Sequence, residues 1–144
     1  MARLINLDSQ GKERTRLAKG VVLAVRELAR QEGPGAEALD LAAFIALALQ
    51  QISDGIDPSV AAWEKRGYWV KADRFRMDWA WTADSAAKIR EATLTGQWGS
   101  LASLAAHVGQ RLASVNLPAR HRLGTPWKGA FEVLRSRKEA ATTS

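Results

Sequence analysis

Projected at about 100° per residue, residues 12–30 place Leu17, Val21, Ala24, Val25 and Leu28 on one side and Lys12, Arg16, Lys19, Arg26 and Arg30 on the other. That period predicts an amphipathic helix with its cations in water, stopped by Gly33, Pro34 and Gly35. Residues 37–53 predict a second helix, and its run 41–49 is apolar at every position. A helix with no polar side has to be covered on all sides, and this run is short of the ~18 residues of a membrane span, so it is expected to be the central core helix.

Asp57 and Pro58 have the residue types of a cap and a first helical position, and predict a third helix over 58–81. This segment holds six of the ten aromatic residues: Trp63, Tyr68, Trp69, Phe75, Trp79 and Trp81. Its projection has two apolar stripes, Trp63, Gly67, Val70, Met77 and Trp81 in one and Tyr68, Ala72, Phe75 and Trp79 in the other, as expected of a helix between two neighbours. Thr82 or Asp84 is expected to cap a helix to about residue 94, ended by Gly96. A fifth helix starts at Gly99 or Ser100 and reaches about Val115 on the stripe Leu101, Leu104, Ala105, Val108, Leu112 and Val115. After a basic loop over 119–124, Thr125 and Pro126 open a last helix with Trp127, Ala130, Phe131 and Leu134 inward, ending near Lys138. No window alternates with period two. The expected fold is therefore all-α, a compact single-domain bundle of five or six helices over residues 1–138, with 139–144 a disordered tail.

Composition supports one domain: 144 residues with 47% apolar content build a core unaided. The absence of cysteine excludes disulfides and thiolate chemistry, and the N-terminal apolar stretch is too short for a signal peptide, so a cytoplasmic protein with no membrane partner is expected. The net charge of +6 is concentrated at the ends of the chain, with an excess of three cations over residues 1–32 and of five over 98–144. Such a field favours polyanions.

Candidate chemistry is sparse. His107 and His121 stand in no metal-ligand spacing with a carboxylate, no glycine-rich phosphate loop is present, and no cofactor, metal or catalytic site is expected. Glu64, Asp73 and Asp78 lie one or two turns from Lys71, Arg76 and Arg74, where solvated ion pairs are the expected outcome. Residues 104–115 have the alanine, glycine and valine spacing of a helix-turn-helix, but Gln110 stands where an apolar residue belongs and Pro118 cuts the second helix short, so one continuous helix is expected. Trp69 falls between the two apolar stripes with Lys65 before it and Arg76 after it, an arrangement suited to stacking unpaired bases between phosphate-holding cations. Arg120, Arg122 and Lys128 supply a second set of cations around the last helix start. The expected function is a non-catalytic module that binds nucleic acid, single-stranded in preference. Self-assembly or a protein partner seated on the aromatic surface is the alternative, and a tryptophan-lined small-molecule pocket the third.

Overall fold

Because α2 (Ala36–Asp54) has no polar face, the rest of the chain is arranged around it: α1 (Leu7–Ala29), α3 (Ile56–Lys65), α5 (Trp81–Thr95) and α7 (Ala130–Thr143) all pack against it. The computed structural model describes residues 7–143, with side chains placed for 9–138, and among these every regular element is helical. α4 (Trp69–Trp79) packs on α3, and α6 (Trp98–Arg111) bridges α5 and α1. α2 and α3 are separated only by Gly55, and α4 and α5 only by Ala80; with those junctions taken as bends, the bundle has five helices. Leu41, Ile45 and Leu49 of α2 are fully enclosed, joined by Val21 of α1, Ile89 of α5 and Val108 of α6. A smaller cluster of Ala43, Ala130 and Leu134 fixes α7 to the other side of α2.

Four residues expected in the core, Phe44, Leu47, Leu104 and Phe131, are only half-buried. Phe44 sits where the two clusters meet, and Gly20 of α1 lets its ring approach: a Cβ at Gly20 would lie 3.1 Å from Phe44 Cζ.

The expected helix over 58–81 is two helices. Gly67 adopts φ +83°, which a side chain disfavours, and the N–H groups of Gly67 and Tyr68 donate to the carbonyls of Glu64 and Trp63, closing α3. The chain then turns, so that Phe75 meets Trp63 edge-on with ring centroids 4.7 Å apart. Ala72 and Phe75 are buried and Trp79 half-buried, while Val70 and Met77, expected to face a second neighbour, are exposed. One side of α4 is covered instead of two.

Several expected boundaries move. α3 begins at Ile56, which is buried, so Asp57 lies in the first turn and is not the cap. Thr82 does not cap α5: its buried hydroxyl donates to the Trp79 carbonyl at 2.7 Å. α6 runs unbroken through Gly109 and ends at Arg111, so no turn of a helix-turn-helix exists there. Thr125 precedes and Pro126 opens a turn over 126–129, and α7 starts at Ala130, where the Asp40 carboxylate of α2 accepts the N–H groups of Gly129 and Phe131 at 3.1 and 2.9 Å. A tertiary contact thus does the work of a local cap. α7 extends to Thr143, past the boundary expected at Lys138; the side chains of 139–144 lie outside those described. Taken through Gly55, the stretch Ala36–Lys65 is long and apolar enough for a membrane span, which the sequence reading denied to its shorter helix, and half of its most apolar window is buried in the bundle.

Candidate nucleic-acid interface

On the first helix one cation breaks the pattern. Arg14 projects into the middle of the apolar stripe, about 160° from Lys12 at 100° per residue. The structure seats it against α4: its guanidinium lies 4.6 Å from the Phe75 ring centroid and 5.6 Å from that of Trp79. These contacts satisfy the flat face of the group but offer no counter-charge. Arg14 is half-buried, makes no ion pair with a described residue, and is pushed below the ordinary arginine pKa by burial alone.

Its surroundings are cationic. Arg14 lines an open depression of about 700 Å³ with Lys12, Arg16, Lys19 and Leu123. Among these, only Arg16 is neutralised by a described residue, Glu13 at 2.6 Å, and the hydrogen bond from Arg16 holds the Glu13 carboxyl below its usual range. A second depression, lined by Arg14, Lys19, Trp79, Asn116 and Pro118, adjoins the first through Thr15 and Lys19. The loop after α6 forms the shared wall. Leu112 and Leu117 anchor it in the core, Arg26 of α1 donates to the Leu117 carbonyl at 3.3 Å, and Leu123 returns to the edge of the first depression.

The expected site residues divide between two places. Arg120 and Arg122 are exposed on this loop, flanking His121, whose Nδ1 accepts the Leu123 N–H at 3.3 Å. Lys128 is exposed on the turn before α7 and lines neither depression. Lys65, Trp69 and Arg76 do not form one strip of a single helix, because the break at 66–68 puts Lys65 on α3 and the other two on α4. Trp69 is exposed, in a shallow pocket with Tyr68, Val70, Lys71 and Arg74. Arg76 is occupied by Asp73 at 3.2 Å and Glu64 at 3.5 Å, and Lys71 lies over the Trp63 ring at 4.9 Å. Sequence reasoning missed Arg14 and Trp79. Arg14 was detectable as the cation inside an apolar stripe; Trp79 carried no signal that set it apart from five other tryptophans.

His107, exposed on α6, stands edge-on to Trp81 at 6.4 Å, and Arg111 lies over the same ring at 5.8 Å. Among the described residues no group of three or more carboxylates and histidines is placed to hold a metal ion. No family model matches the chain, and no curated protein or solved structure is significantly similar to it.

Proposed function

We propose that this chain is a non-catalytic helical module that binds single-stranded nucleic acid along the two depressions between α1 and the loop 112–123. The observation that carries this reading is Arg14, a half-buried guanidinium without a carboxylate partner among the described residues, opening onto a surface that also bears Lys12 and Lys19. A desolvated cation with no counter-ion lowers stability by itself, and a phosphate supplies the missing charge and hydrogen bonds together. A concave wall of one sign also concentrates the field on an approaching polyanion. The half-buried Trp79 beside Arg14 and Lys19 gives an unpaired base a ring to stack on, which favours a single strand over a duplex.

The test is fluorescence anisotropy with single- and double-stranded oligonucleotides of equal length at several salt concentrations. Lys12→Ala and Lys19→Ala should each weaken single-strand binding and flatten the plot of log affinity against log salt by about 0.7. Lys128→Ala, away from the depressions, should leave both unchanged. No binding by the parent protein at low salt, or binding indifferent to both lysines, refutes the proposal.

A further inference from the structure

The uncovered side of α4 has a pattern that the nucleic-acid reading does not use. Tyr68, Trp69, Val70 and Met77 are 56%, 63%, 75% and 72% exposed, and they are four of the five exposed large hydrophobic residues among those described. Val70 and Met77 are seven residues apart, about 20° on the helix, and between them on the same face lie Asp73 and Arg74, both exposed. Along this strip the order is apolar, acidic, basic, apolar. The order is its own complement when read backwards with the charges paired.

We propose that α4 is the interface of a homodimer, packing antiparallel on α4 of a second copy about a twofold axis between Asp73 and Arg74. In that register Val70 faces Met77 of the other copy at both ends, and Asp73 faces Arg74 of the other copy twice at the centre. Isologous contact requires this self-complementarity, with residue i meeting j and j meeting i. A parallel pairing in register would set Asp73 on Asp73 and Arg74 on Arg74. Charge complementarity therefore selects the antiparallel second copy.

The surface is also large enough. With ~150–250 Å² for each aromatic side chain and less for valine and methionine, the exposed fractions of the four residues amount to on the order of 500 Å² per copy. With all of it covered, two copies together bury about 1,000 Å², the size of a weak, reversible interface, before the contribution of Lys71 and of the central Asp73 and Arg74. Tryptophan, tyrosine, methionine and arginine are the residue types enriched in such interfaces. Arg74 makes no ion pair with a described residue, and Asp73 meets Arg76 through Oδ1, leaving its other oxygen to accept from the second copy. The surface lies on the opposite side of α4 from Phe75 and Trp79, so it is distinct from the one that holds Arg14.

Sedimentation equilibrium of the full chain over a range of concentrations tests this. The parent should show a monomer–dimer equilibrium; Asp73→Arg and Arg74→Asp should each weaken dimerisation at least tenfold, and the double variant, with the charges exchanged, should recover it. All these positions are exposed, so loss of fold does not confound the result, and circular dichroism verifies this. A parent that stays monomeric at high concentration overturns the proposal, as does a dimer indifferent to both single changes. Register is read separately with thiols, because the chain has no cysteine of its own. Mixing Val70→Cys with Met77→Cys proteins under mild oxidant should give a cross-linked dimer far faster than either alone, since like positions lie about 10 Å apart along the antiparallel axis. Equal rates for all three refute the antiparallel arrangement.

Discussion

Arg14 shows how one residue can be placed against its own stability. Its charge is half-removed from water with no opposing charge among the described residues, and the two rings it lies over supply no counter-ion. Arg14→Leu, which keeps contact with Phe75 and Trp79 while removing the cation, should leave the urea-unfolding free energy within about 1 kcal/mol of the parent or above it. The same protein should bind oligonucleotide more weakly. A loss of several kcal/mol would show that Arg14 belongs to the core and carries no ligand. Among apolar residues, Leu41→Ala should cost about 2–5 kcal/mol because the side chain is fully enclosed. Phe44→Ala should fall below the ~3–5 kcal/mol of a buried phenylalanine, since its ring is half-buried between two clusters and partly solvated already.

Among the elements, α7 depends most directly on a neighbour. The N–H groups of Gly129 and Phe131 find their acceptor in Asp40, some ninety residues earlier. Asp40→Ala should therefore cost about 0.5–2 kcal/mol, the range for losing a helix cap, and should raise hydrogen exchange in α7 more than in α5 or α6. Equal exchange in all three helices would mean that α7 is held by Leu134 and Ala130 alone. α4 illustrates the opposite dependence. Its separation from α3 is set by local chemistry, because the left-handed Gly67 stops α3 and resets the helical phase. Had the helix continued, Trp63, Val70 and Met77 would have kept one line; after the break, Ala72, Phe75 and Trp79 face inward and Val70 and Met77 are left to solvent.

For the whole molecule, an excess of six cations means that bound polyanion relieves repulsion as well as filling a site. A single-stranded oligonucleotide should raise the melting temperature of the parent, by mass action on the folded state, more than sodium chloride at equal ionic strength. The double variant Lys12→Glu and Lys19→Glu should lose that increment while still folding; a retained increment would place the binding surface elsewhere. By itself the sequence determined the all-helical class, the central position of the apolar run in α2 and the inner face of α1, because those follow from the period of apolar residues and the need to cover them. It also put Trp69 outside both apolar stripes, but whether the ring would be covered depended on the neighbours of α4. Tertiary structure alone decided which stripe of α4 was covered, that Asp40 would cap the start of α7, and that the loop 112–123 would lie beside the cations of α1. Each of these joins groups distant in sequence, and periodicity within one helix has no information about which neighbour will arrive, at what phase, to satisfy a carbonyl, a carboxylate or an unpaired charge.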